Sequence, residues 1–366
     1  MKPPFKARAP SFDADAINAT IQRALASAGL DTASGPMQGV TETLRRALAA
    51  GRLGGAASHP SQQGPDRFEA REFSNDAGSR GYKVYVPAVQ SDAPRAMVVM
   101  LHGCTQSADD FAAGTQMNRL ADEHGFLVVY PEQAAQANAS KCWNWFQPQD
   151  QMRGRGEPAL IAGIVREVAK RQGADLRRIF VAGLSAGAAM AVVLGETYPE
   201  LFAGVGAHSG LPYGSAHDIP SALAAMKGGR GGLPGLKSRA AAGPPRSGAV
   251  KAVPVIVFHG DRDHTVQQGN GAQIVQQARD AHAAQAGDAG LRVSTQAGVS
   301  VGGRRFSRTV HTDTDGRARI ESWTLHGAGH AWSGGHASGS FIDSTGPAAS
   351  AEMVRFFLDL PAAGSA

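Results

Sequence analysis

"VAGLSAGAAMA", residues 181–191, contains Gly183-Leu184-Ser185-Ala186-Gly187, a G-x-S-x-G pattern. The pattern is short, and with 46 glycines in 366 residues it recurs by chance: Gly298-Val299-Ser300-Val301-Gly302 also matches. Local context separates the two. Ser185 follows the apolar run Ile179–Ala182 and precedes small residues that continue into a helical segment. A strand, a sharp turn and a helix are what a nucleophile elbow requires, and flanking glycines let the chain turn while the helix approaches the strand. Ser300 instead precedes "GGRRFSRTV", which reads as a strand. Ser185 is the expected nucleophile.

Outward from Ser185 the chain alternates. Apolar strands are expected at 82–87, 96–103, 126–131, 178–185, 202–210, 254–260 and 319–327, and helices at 109–124, 157–173, 186–198, 269–283 and 348–359. Several strands are continuous β-branched runs, as in strands buried on both faces. Such alternation predicts an α/β architecture with a mostly parallel sheet flanked by helices. Residues 306–325 read as a hairpin around Asp315-Gly316. Before about residue 67 the reading is a helical extension: one helix at 12–30, with Ile17, Ile21 and Leu25 on a face, a second at 40–50, then the linker "GRLGGAASHPSQQGPD". The catalytic domain is placed at 67–366, with an insertion at 211–252 that opens with a short helix, turns Gly/Pro/Arg-rich and is read as a lid.

Composition narrows the function classes. The chain is 42% hydrophobic and 18% charged, with a net charge of +5 from scattered rather than clustered basic residues. That does not mark a nucleic-acid binder. No stretch approaches the roughly 20 apolar residues of a membrane span. The N-terminus lacks the apolar core of a signal peptide, so the expectation is a cytoplasmic chain, or a secreted one whose numbering begins after processing.

A serine hydroxyl needs a base, and the base needs an orienting acid. In the strand–turn–helix setting both follow the serine, on loops beyond later strands. "VIVFHGDRDHTV" offers Asp261 and Asp263; "WTLHGAGHAWSGG" offers His326, His330 and His336. His330 lies on the loop itself, whereas His326 falls at the strand end and His336 runs into a Gly/Ser stretch. His208, at another strand end, reads as structural. The oxyanion hole calls for the N–H after the nucleophile, that of Ala186, and one from the loop after an earlier strand; "VVMLHGCTQ" supplies Cys104.

With these residues in place, the chain resembles the polyhydroxybutyrate depolymerase family of α/β-hydrolase esterases. The resemblance is carried by "LHGCTQSADDFA", "KCWNWF", "GLSAGAAMA", "HGDRDHTV", "GAGHAWSGG" and "DSTGPAASAEMVRFFL", and covers about residues 68–360. It implies the α/β-hydrolase fold, the triad Ser185, Asp263 and His330, and the oxyanion donors Cys104 and Ala186. The family's H-G-x-x-D-x-x-V pattern selects Asp263 over Asp261, which is left to bond the turn's own backbone. Cys104 and Cys142 fall in loops at the catalytic edge, and the reading favours a disulfide between them over two thiols. Trp143, Trp332 and Trp145, on loops at that edge, are expected to line the acyl pocket; Trp323, within a strand, is expected in the core.

The expectation is a serine esterase with no metal or organic cofactor, acting on poly- or oligo-hydroxyalkanoates. Feruloyl or acetylxylan esterase activity is the alternative. A polyamide or peptide hydrolase stands behind it, because the same triad cleaves amides. A binding protein on an inactive hydrolase fold is disfavoured by the complete triad. Secreted members of the family carry a signal peptide and a polymer-binding domain. Neither is read here, which turns the expectation toward accessible esters rather than crystalline polymer.

Overall fold

The computed structural model describes residues 67–89, 93–228, 252–286 and 290–361. The helices expected at 12–30 and 40–50, the linker, and residues 229–251 of the insertion lie outside the described residues.

A ten-stranded sheet organises the described chain in the order β1-β2-β4-β3-β5-β6-β7-β10-β9-β8. Its strands are β1 (Phe68–Asn75), β2 (Gly78–Tyr85), β3 (Arg95–Leu101), β4 (Leu127–Pro131), β5 (Ala174–Leu184), β6 (Gly204–His208), β7 (Val255–Gly260), β8 (Arg292–Val299), β9 (Arg305–Thr312) and β10 (Ala318–Leu325). β4, β3, β5, β6, β7 and β10 run parallel, and β1–β2 and β8–β9 add antiparallel strands at the two ends. β9 and β10 form the hairpin expected around Asp315-Gly316, with Thr312 opposite Ala318.

The central strands are buried on both faces, and their side chains alternate between two cores. In β3, Met97, Val99 and Leu101 join one core while Val98 and Met100 join the other; in β7, Val255 and Val257 oppose Ile256 and Phe258. The helices divide accordingly. α1 (Ala108–Thr115), α2 (Met117–His124) and α7 (Ala349–Asp359) cover one face; α3 (Gly156–Gln172), α4 (Ala186–Thr197), α5 (Ile219–Met226) and α6 (Gly269–Ala286) cover the other. α4 is buried from Ala186 to Gly195, which is why its sequence is apolar on every side. This is the α/β-hydrolase architecture, with the parallel strands ending along one edge.

The single helix expected at 109–124 is two. Gln116 takes a left-handed conformation (φ 57°) that ends α1, while the Thr115 hydroxyl donates back to Phe111 O. Gly114 lies where a Cβ would meet Ile342 at 2.8 Å, and its carbonyl accepts from His336 N. A tertiary contact from the C-terminal loop therefore breaks a helix that local periodicity continues.

Candidate active site

β5 delivers Ser185. The serine has φ 57° and ψ −118°, between the last strand residue and the first residue of α4. A non-glycine residue holds that conformation only when its surroundings impose it. The Ser185 N–H donates to His208 O at 2.9 Å, tying the elbow to the end of β6. Gly183 and Gly187 are required by close approach: a Cβ on Gly187 would lie 2.1 Å from Leu101 O, and one on Gly183 would lie 2.4 Å from the Gly187 backbone. Ser300 has no such setting; its Oγ accepts from Arg304 N and donates to Thr345 O within a surface turn.

β7 and β10 pair in parallel, with Gly260 opposite Leu325, so the loops beyond them leave side by side. Across them, His330 Nδ1–H donates to Asp263 Oδ2 at 2.7 Å. Asp263 Oδ1 accepts from the backbone of Thr265 and Val266, at 3.0 and 2.9 Å. Burial opposes ionisation of this carboxyl. The hydrogen bond and charge of His330, with His259 and the Val266 N–H behind them, hold it below the usual carboxylate range nonetheless. An ionised Asp263 can only accept, so the His330 proton sits on Nδ1 and Nε2 is left as the basic atom. Ser185, Asp263 and His330 thus leave the same edge of the sheet, from β5, β7 and β10.

Asp261 does not bond its own turn as expected. It crosses to the histidine loop, accepting from Gly327 N at 2.7 Å and His326 Nδ1 at 3.0 Å, because the parallel pairing of β7 with β10 sets the two loops side by side.

Ala186 opens α4, so its N–H has no acceptor one turn earlier in the helix. Cys104 follows β3 on the facing loop, and no other group among the described residues takes its N–H. That loop is fastened from several directions. Cys104 is disulfide-bonded to Cys142, with S–S 2.05 Å and Cα–Cα 4.2 Å. Thr105 N donates to Ser140 O, Gly103 N to Gln106 Oε1, and Trp143 Nε1 to His102 O. His102 accepts from Gln133 N through Nε2 and donates through Nδ1 to Gly103 O; burial pushes its pKa down and keeps it neutral. The partner loop is anchored in turn by Glu157, whose carboxylate accepts from Asn144 N at 2.7 Å and from Gln133, which also bonds Cys142 O. Burial and the neighbouring Asp150 push the Glu157 carboxyl up, against the pull of its hydrogen bonds and Arg80.

The three tryptophans expected in the acyl pocket are buried instead. Trp143 (0% exposed) lies against His102 on the loop after β3. Trp332 (0% exposed) stacks on His208, meets Phe111 edge-on and donates to Ser350 Oγ. Trp145 is 6% exposed and packs edge-on against Phe146. The catalytic-edge loops fold back over the sheet, so their largest apolar side chains support the site from beneath. Trp323 stacks on Phe258 in the core, as expected. His208 lies between Phe258 and Trp332 and accepts from Ser333 N; burial, then the nearby His259 and His330, push its pKa down to about 3. It is a neutral spacer beside the Ser185 elbow, whose N–H its carbonyl accepts. Among the described residues, no group of three or more His, Cys, Asp or Glu side chains could hold a metal ion, and no helix is long and apolar enough to cross a membrane.

Residues 80–295, more than half of the chain, match the family model described as esterase PHB depolymerase. The chain belongs to that family. Among curated relatives, poly(3-hydroxyalkanoate) depolymerase C of Paucimonas lemoignei is 34% identical over 264 residues, covering 72% of this chain and 61% of the relative. Feruloyl esterase B of Neurospora crassa is 36% identical over 141 residues, covering 38% of this chain and 47% of the relative. The chain thus spans about half to three-fifths of the length of these curated relatives. Among solved structures, an acetyl xylan esterase from Aspergillus awamori aligns with TM-score 0.60 at 21% identity, covering 80% of this chain and 99% of that one, a likeness of fold. In this esterase PHB depolymerase family chain, "KCWNWF" held a further signal: pairing Cys142 with Cys104 places Trp143 against the loop after β3 rather than in a pocket wall.

Proposed function

We propose that this chain is a serine esterase that hydrolyses ester bonds of poly- or oligo-hydroxyalkanoates through an acyl-enzyme. The observation that carries the reading is the His330–Asp263 hydrogen bond at 2.7 Å on the loops beyond β10 and β7, together with an elbow serine after β5 held at φ 57°. His330 Nε2 takes the Ser185 proton as Oγ attacks the ester carbonyl. The N–H groups of Cys104 and Ala186 receive the developing oxyanion, and Asp263 stabilises the imidazolium. His330 then returns the proton to the departing alkoxide. Water enters, gives its proton to His330, and releases the acid by the same steps in reverse.

Polyester as substrate is supported by the relative from Paucimonas lemoignei, matched over 72% of this chain. A carbohydrate esterase reading is favoured by the shorter match to feruloyl esterase B. The test is a panel of hydroxybutyrate oligomers, polymer film, feruloyl esters and acetylated xylan, with Ser185→Ala as control. Release of hydroxybutyrate that disappears in the control is the expected result. Release of ferulate or acetate without hydroxybutyrate would move the assignment to the second reading, and activity that survives Ser185→Ala would overturn both.

A further inference from the structure

Two Asp–His bridges, not one, span the loops beyond β7 and β10. The inner one is Asp263–His330. The outer one joins His326 Nδ1 to Asp261 Oδ2 at 3.0 Å, and His326 Nε2 lies 2.9 Å from Ser307 Oγ. Asp261 stands two residues before Asp263, and His326 four residues before His330. We infer that Asp261, His326 and Ser307 form a positioning bridge that locks the acid loop to the histidine loop and so sets the meeting of Asp263 with His330. The inference rests on the reading of Ser185, Asp263 and His330 as the esterase triad.

His326-Gly327-Ala328-Gly329-His330 has glycine on both sides of Ala328, and Gly327 sits at φ 75°. Glycines leave the backbone more conformations to lose, so such a loop needs external pins to hold a side chain in one place. The backbone supplies three, Asp261 N to Leu325 O, Arg262 N to Ala328 O and His326 N to Arg305 O. The Asp261 carboxylate adds two more by accepting from Gly327 N and His326. A carboxylate cannot donate, so His326 Nδ1 carries a proton, and Nε2 meets the Ser307 hydroxyl. Ser307, fixed in β9 by its pairing with Ala297 and Thr324, then anchors the ring to the sheet.

This Ser–His–Asp connectivity repeats that of the triad, but its setting does not. Ser307 lies within a regular strand paired on both sides, not at the start of a helix, and the neighbouring N–H groups are engaged in the ladder. It therefore lacks the oxyanion donors that make a serine an effective acyl acceptor. The outer bridge positions; it does not react.

The test uses the full chain, a small aryl acetate and a fluorophosphonate probe. Asp261→Ala should lower kcat about 10-fold with KM unchanged, since sub-ångström displacement of a base acts on the chemical step. Labelling of Ser185 by the probe should slow in parallel. His326→Ala should do the same, and the double variant should be no worse than either single one, as expected for residues acting through one bridge. Asp261→Asn, which keeps an acceptor for Gly327 N, should recover most of kcat. Ser307→Ala, a small change within β9, carries the test if Asp261→Ala does not fold; it should lower kcat about 3-fold, as looser anchoring of the same base requires. Wild-type kcat and labelling in the bridge variants, with Ser185 still labelled in the parent, would overturn the inference alone. Label on Ser307 in Ser185→Ala would overturn it by revealing a second nucleophile. A parent that takes no label at Ser185 would overturn the reading of the site and the inference with it.

Discussion

Replacing both Cys104 and Cys142 by alanine tests how the oxyanion loop is held. The bridge closes a separation of 38 residues. In the chain-entropy model a loop of that size corresponds to about 4 kcal/mol, taken from the unfolded state. At about 2–4 °C per kcal/mol for a domain of this order of size, the double variant should melt roughly 8–16 °C lower. Activity should fall less steeply. Complete loss of one oxyanion donor costs roughly 10²–10³ in kcat. Here the donor N–H of Cys104 persists in the alanine backbone, and Thr105–Ser140 and Trp143–His102 still fasten the loop. A fall of about 10-fold in kcat on a small aryl ester is therefore expected, bounded by the donor-loss figure. The assays are thermal melting without reductant, initial rates at 25 °C, and a thiol count on denatured parent protein. Two free thiols in parent protein purified from an oxidising compartment would refute the bridge. A melting temperature changed by less than about 2 °C would refute the claim that loop closure stabilises this domain.

Asp263→Asn should cut kcat by a factor on the order of 10⁴, because an amide can hold the wrong tautomer of His330; steady-state rates on an aryl ester decide it, and a loss under 10-fold would reassign the acid. Gly187→Ala should yield an inactive chain destabilised by several kcal/mol, since its Cβ would lie 2.1 Å from Leu101 O in a packed interior; urea denaturation and esterase rates check it, and a fully active, stable variant would refute the close approach at the elbow. His208 ties stability to pH: the unfolded chain takes up its proton near pH 6.5, while the folded one cannot until about pH 3, so stability should decline as pH falls between these values. The full effect is about 5 kcal/mol, and denaturant midpoints that stay level from pH 7 to about 4 would contradict it.

The central sheet was legible because its strands are buried on both faces and read as unbroken apolar runs, as in Val255–Phe258. The edge strands were not. β1 and β8 were missed because they carry half-exposed or fully exposed patterns with no apolar run to mark them, and their ladder hydrogen bonds leave no trace in side-chain type. The break at Gln116 was hidden for a related reason. Residues 108–124 keep helical periodicity throughout, and the carbonyl of Gly114 is taken by His336, more than two hundred residues away in the chain.

The polar residues of the proposed site could be chosen from the sequence because chemistry restricts them. A nucleophile between a strand and a helix, an acid three residues after a strand-ending glycine, and a histidine past the last parallel strand leave few residues to choose among. The tryptophans obey no such restriction. Trp143 and Trp332 follow short motifs that do reach the catalytic edge, yet apolar bulk goes wherever the returning loop leaves a space against the sheet. For Trp143 that space is set by the Cys104–Cys142 link and the buried Glu157 behind it. For Trp332 it is set by His208, whose ring it stacks on at 5.2 Å. Asp261 was misplaced likewise: with Asp263 taken by the motif it was left to its own turn, whereas the parallel pairing of β7 with β10 puts Gly327 and His326 within its reach. Partners set by strand register belong to the sheet, and local sequence carries them only after the order of strands is known.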